Sequence, residues 1–150
     1  MPYLLDTNHC FRLIARDERM LAALNERRLE RLMTSVVVAG ELRYGALISE
    51  RRIENALSVE DFLGRIDQIA ISPAISQIYA DLKAGLLMKL GPKDRSRRRA
   101  FDLRKLGFSD NDLWIAASAL DRNAVVVSED PDFQRMAALE SLDVENWLRR

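Results

Sequence analysis

Four acidic residues stand where a carboxylate can do chemistry. Asp6 closes the apolar run in "YLLDTN" and is followed at once by the short hydrogen-bonding residues Thr7 and Asn8. Glu41 follows the β-branched "SVVV", Asp112 opens the apolar "NDLWIAASAL", and Asp130 ends "AVVVSED" just before Pro131. Taken singly, each has an ordinary structural account. A helix dipole favours Glu41 near a helix start by ~0.3–1 kcal/mol, Ser109 and Asp112 have the spacing of a capping box, and Asp130 before proline reads as an N-cap. Taken together the accounts fall short. Four carboxylates at one edge carry four negative charges, while each helix N-terminus returns only about +0.5. The residual repulsion raises carboxylate pKa values unless a cation is bound. Hard oxygen donors without a supporting His or Cys set point to Mg²⁺ or Mn²⁺ rather than zinc. Such a cation can orient water, lower its pKa and stabilise charge on a phosphodiester.

The elements that must bring these acids together are legible in outline. Short strands are expected at residues 3–5, 35–38, 69–71 and 124–127, with a last one at 144–147, and helical spacing separates them. The clearest helix carries Ile75, Ile78, Tyr79, Leu82 and Leu86 behind Pro73. Strands alternating with helices predict an α/β fold with a mostly parallel sheet covered by helices. Such a sheet places strand-to-helix junctions on one edge, outside the carboxyl ends of the strands, where open α/β sheets bind ligands.

The 150 residues, 48% hydrophobic, suit one domain spanning 1–150. Lys and Arg total 23, as do Asp and Glu, so affinity for nucleic acid must come from local clusters. One such cluster exists: residues 89–105 hold eight basic side chains against Asp94 and Asp102. It reads equally as a solvated loop and as a phosphate-backbone contact through Arg97, Arg98 and Arg99. The lone Cys10 excludes an internal disulfide and reads as a small buried hydrophobe. No apolar run approaches the ~18 residues of a membrane span, and a cytoplasmic protein without membrane partners is expected.

With these motifs assembled, "LLDTN", "SVVVAGELRYGA", "NDLWIAASAL", "VVSEDPDF" and "LDVENW" resemble, in order and spacing over nearly the whole chain, the PIN-domain ribonucleases. More narrowly, they resemble the VapC toxins of bacterial toxin-antitoxin pairs. The resemblance implies a three-layer α/β/α sandwich and a Mg²⁺- or Mn²⁺-dependent endoribonuclease. It also implies a homodimer silenced by a cognate antitoxin that covers the active-site groove. By position, Asp6, Glu41, Asp112 and Asp130 match the family's four acids, which bind metal and activate water, with Asp6 and Asp112 as the firmest ligands. Thr7, Asn8 and Ser128 match the polar residues beside them. The chain departs from the family pattern in three places. The basic link into "NDLWIAA" is long, Asp110 competes with Asp112 for the third role, and Ser128 replaces a more frequent threonine with Glu129 and Asp132 adding acids nearby.

His9, the only histidine, is expected in a solvated or packing role, and Trp114 and Trp147 as core or dimer-surface aromatics. Arg43 and Tyr44 follow Glu41 in the same helix, and neither is assigned a role. An aspartyl-phosphate phosphatase would need an acid at Asn8, and a receiver domain a late lysine absent from "AVVVSEDP". A non-catalytic RNA-binding or antitoxin-sequestering module with the same fold is the remaining alternative, since a ligand displaced by about 1 Å can cost some 100-fold in rate.

Overall fold

A computed structural model describes residues 1–149. The chain begins with β1 (Tyr3–Leu5), α1 (Thr7–Ile14) and α2 (Glu18–Glu26), then β2 (Leu32–Ser35), α3 (Val36–Leu47) and α4 (Arg52–Leu63). It continues with β3 (Asp67–Ile69), the long α5 (Pro73–Leu90), the short α6 (Arg95–Ala100) and a 3-10 turn at Leu103–Leu106. It closes with α7 (Asp110–Asp121), β4 (Val125–Val127), α8 (Pro131–Leu139) and β5 (Val144–Glu145).

All five strands are parallel, in the order β3-β2-β1-β4-β5. Tyr3 lies opposite Leu32 on one side and Val125 on the other. Helices α1 to α4 pack with one another, and α5 packs with α7 and α8, which gives helix, sheet and helix layers. The core runs through the sheet, where Leu4, Leu5, Val126 and Val127 are fully buried in one cluster with Phe108 and Phe133. Strand order reverses between β1 and β4. That switch point opens the crevice in which open parallel sheets hold ligands.

Three strand expectations shift, each for a local reason. The second strand is "LMTS" rather than residues 35–38, because the Ser35 hydroxyl accepts from Val37 N (3.1 Å) and Val38 N (3.2 Å) and caps α3 there. Val36 to Val38 therefore form the first turn of a helix, their β preference overridden by the cap and by full burial of Val38, Ala39 and Leu42. The third strand ends at Ile69 rather than Ile71, since Ser72 caps α5 with Pro73 at its first position. The last strand stops at Glu145; Trp147 instead packs edge-on against Tyr3, 5.3 Å between ring centroids, with Arg27 over both rings.

The basic segment is not a plain loop, because Asp94 caps α6 and Asp102 caps the 3-10 turn. Among the described residues, no helix is long and apolar enough to cross a membrane.

Candidate active site

The tips of β1 and β4 are joined by a side chain. Ser128 Oγ, just past β4, donates to Asp6 Oδ2 at 2.7 Å, and the same oxygen accepts from Asp130 N at 3.0 Å. Thr7 N donates to Asp6 Oδ1 at 2.6 Å, so Asp6 also caps α1. Asp6 is thus held by both sides of the switch point, and only 7% of its surface is exposed. Burial pushes its carboxyl above the ordinary range against the two hydrogen bonds, with Glu41 and Asp130 adding repulsion.

Glu41 does not sit at a helix start. It is the sixth residue of α3, beyond the reach of that helix's dipole, so the N-terminal account of this acid fails. One of its oxygens accepts from Thr7 Oγ1, and the other from Asn111 Nδ2 at 2.6 Å. Asn111 is a residue that the motif reading passed over. Its signal was its place beside Asp112 in the first turn of a helix, where successive side chains diverge by about 100°.

That first turn of α7 points three ways. Asp110 turns to α5, where its Oδ1 accepts from Tyr79 Oη (2.6 Å) and Lys83 Nζ (2.8 Å), which lower its pKa. Asn111 reaches α3 through Glu41. Asp112, whose backbone N–H donates to Ser109 Oγ at 3.1 Å, faces the other acids. Burial first, then Asp130, Asp6 and Glu41, raises its carboxyl to about 6, with the Ser109 hydroxyl opposing. The geometry therefore separates Asp110, a tether, from Asp112, a member of the cluster.

Asp130 caps α8 by accepting from Asp132 N at 2.9 Å. Asp112, Asp130 and Asp132 each offer a carboxylate oxygen within 4.8 Å of the others, so Asp132 joins two of the four expected acids in the tightest group, while Asp6, expected as a firm ligand, and Glu41 border that group without being part of it. The other partner of Asp132 is Arg135 Nη1, at 2.9 Å. A hard divalent cation fits this donor set: all-oxygen ligands, mutual repulsion and two carboxyls with raised pKa values.

The remaining residues sort clearly. Asn8 is exposed in the first turn of α1. His9 is fully buried with both ring nitrogens unpartnered among the described residues, which selects the packing role over the solvated one; burial lowers its pKa, with Glu129 opposing and Arg12 adding. Cys10 is buried, and burial raises its thiol far from reactivity. Arg43 is taken up by Glu60 at 2.7 Å, and Tyr44 is exposed. Trp114 stacks on Tyr79 at 3.8 Å. Arg97, Arg98 and Arg99 lie on α6, where Arg98 rests on Met88 in the last turn of α5.

A five-stranded parallel sheet with carboxylates converging on its switch point defines an α/β domain with a candidate metal centre, and the comparisons narrow it. The PIN domain family matches residues 3–139. Ribonuclease VapC2 of Haemophilus influenzae is 30% identical over 99% of both chains. The structure of VapBC2 from Rickettsia felis bound to a DNA fragment from their promoter superimposes with a TM-score of 0.78 at 27% identity, covering 98% of this chain and 99% of that one. DNA-bound VapBC from Salmonella typhimurium, at 23% identity and TM-score 0.77 over 98% of both chains, shares the fold. The chain therefore belongs to the PIN-domain family and, within it, to the VapC ribonucleases.

Proposed function

We propose that residues 1–150 act as one metal-dependent endoribonuclease domain, the toxin of a toxin-antitoxin pair. The observation that carries this reading is the convergence of Asp6, Glu41, Asp112 and Asp130 on one switch point, tied by Ser128, in a chain that matches ribonucleases of this kind end to end. Asp6, Asp112, Asp130 and Glu41 would hold Mg²⁺ or Mn²⁺, with Asp132 beside them. When bound, such an ion lowers the pKa of water and offsets charge on the phosphodiester.

The chain's own residues set the geometry. Ser128 and Thr7 N–H fix both oxygens of Asp6, and Thr7 Oγ1 and Asn111 fix both oxygens of Glu41, so neither carboxylate can rotate without losing two hydrogen bonds. Asn8, exposed beside Asp6, is available to a phosphate oxygen.

A cognate antitoxin and a second copy of the chain are the expected protein partners, in the cytoplasm. Exposed Leu47, Ile48, Ile53 and Leu57 around the α3–α4 turn supply apolar surface of the kind interfaces cover. A groove of about 490 Å³ along α1, α2 and α4, lined by Leu13, Leu21, Leu24 and Phe62, contains none of the acids of the site and suits a protein segment better than a phosphodiester.

The deciding experiment is cleavage of total cellular RNA with and without Mn²⁺, comparing the unaltered chain with Asp6→Asn and mapping new 5′ ends. Discrete cuts that need both Mn²⁺ and Asp6 support the reading. Folded, Mn²⁺-binding protein that leaves no Asp6-dependent ends would replace it with the sequestering module.

A further inference from the structure

The feature that the acidic centre leaves unused is the segment joining α5 to α7. Between Gly91 and Gly107 it carries seven basic residues against two acids, in a chain whose formal net charge is zero. Both acids serve neighbouring groups. Asp94 accepts from Ser96 N (2.9 Å) and Ser96 Oγ (2.8 Å), and Asp102 accepts from Arg104 N (2.9 Å) while pairing with the Arg104 guanidinium at 2.8 Å. Lys93, Arg95, Arg97, Arg99 and Lys105 are exposed and form no ion pair among the described residues. Elsewhere Arg12, Arg27, Arg31, Arg43, Arg65 and Arg135 each face a carboxylate, and Arg16, Arg28 and Arg52, unpaired among the described residues, are scattered along the chain rather than gathered in one segment.

Two anchors fix where this strip lies. At its start, Arg98 folds inward, donating to Lys93 O at 2.6 Å and contacting Met88 Sδ at 2.8 Å, so α6 rests on the last turn of α5. Arg98 is thereby an anchor and differs from its two neighbours. At its end, the 3-10 turn abuts the acids. Arg135, which pairs with Asp132, also donates to Leu106 O, and Gly107, with φ of +97°, lies so close that a Cβ would come within 3.1 Å of the Asp132 carboxylate. Helix α5 spaces α6 from the start of α7. Met88 holds α6 and Lys83 holds Asp110, five residues or about 7.5 Å apart along the axis.

Uncompensated cations therefore lead up to the acidic centre through the turn beside Asp132. The two charges have opposite consequences for a polyanion. The carboxylates repel it, whereas Lys and Arg attract it by neutralising phosphates and releasing counterions. Arginine adds donors matched to phosphate oxygens. We propose that Lys93, Arg95, Arg97, Arg99 and Lys105 hold the phosphodiester backbone of a single RNA strand as it enters the acidic centre, with Arg98 anchoring the helix that presents them. This rests on the ribonuclease reading. An acidic protein surface would meet the same charge, but RNA is favoured because the strip ends at carboxylates suited to receive a phosphodiester.

The test measures binding of a labelled single-stranded RNA oligonucleotide across a KCl series, in full-length Asp6→Asn protein so that no cleavage intervenes. Arg95→Gln/Arg97→Gln/Arg99→Gln added to this background is expected to weaken binding at least about tenfold at low salt. It should also flatten the slope of log K against log salt by about 2, since each single-strand phosphate contact contributes roughly 0.7. The corresponding triple Lys variant keeps the charges and is expected to keep the slope, which separates charge from folding. An unchanged slope in the Gln variant overturns the proposal. So does an unchanged RNA slope accompanied by lost binding to poly-glutamate, which would assign the strip to an acidic protein. Cleavage by protein with Asp6 intact is run in parallel: cutting with an unchanged slope sinks the strip alone, whereas no cutting and no RNA binding sink both readings.

Discussion

The first turn of α7 and the helix α6 ahead of it in the chain are both densely charged, yet they are built in opposite ways. In α7 each polar side chain has its own destination, Asp110 to α5, Asn111 to Glu41, and Asp112 to the acids. In α6 only Arg98 is committed, while Arg95, Arg97 and Arg99 stand in solvent. One region is over-determined and partly desolvated; the other is locally capped and free. The contrast matches two tasks, since a reacting group tolerates little displacement, whereas backbone affinity needs charge more than exact placement.

The sharpest way to break this comparison is to remove a cluster acid. Asp112→Asn is expected to lower Asp6-dependent RNA cleavage by at least about 100-fold, within the range of activating a nucleophile, while circular dichroism shows the fold retained. Activity surviving in Mn²⁺ would remove Asp112 from the site. Next come the residues that hold the acids. Asn111→Ala and Ser128→Ala are each expected to cost about 10–100-fold in Mn²⁺ affinity or cleavage, the usual penalty for losing a partner of a ligand. Calorimetric titration with Mn²⁺ reads this directly, and unchanged affinity would reduce the two residues to packing roles.

A smaller effect lies in the stability of the metal-free protein. The Asp112 carboxyl is raised to about 6 in the folded chain against 3.8. The folded state then binds more protons than the unfolded one between these values, so stability falls as pH rises through that window. Asp112→Asn is expected to raise the melting temperature above pH 6 by roughly 2–4 °C, about 1 kcal/mol, with no gain near pH 4. A melting difference independent of pH would contradict the desolvated placement. The smallest effect separates the neighbouring acids. Asp110→Asn, which weakens a largely exposed pair with Lys83, is expected to cost under about 1 kcal/mol and to leave Mn²⁺ affinity unchanged. Lost affinity would restore Asp110 as the third ligand.

Much of the architecture was readable residue by residue. Pro73 behind Ser72 marks the start of α5, and the apolar runs at 3–5 and 124–127 form adjacent central strands. The exceptions share a cause. Val36 to Val38 carry strand propensity, but Ser35 caps a helix and the packing of Val38, Ala39 and Leu42 rewards it; propensity differences of a few tenths of a kcal/mol do not withstand such burial. Asn111 escaped notice, and Asp132 was read only as an added acid near Asp130, because a polar residue beside a stronger candidate looks like its neighbour. Their directions depend on α3 and α8 lying alongside, contacts 70 residues away for Asn111.

Residue order alone determined the chemistry available to this chain: hard carboxylates at junctions, one histidine, one cysteine, and a basic run that no global charge explains. Local rules reach that far because caps, prolines and apolar periodicity act within a few residues. Only the tertiary structure decided which carboxylates meet. Parallel pairing of β1 with β4 brings Ser128 onto Asp6 across 122 positions, and α7 turns Asp112 inward but Asp110 outward. Desolvation and mutual repulsion act through space rather than along the chain, so carboxylates similar in sequence acquire different properties only when the sheet closes around them.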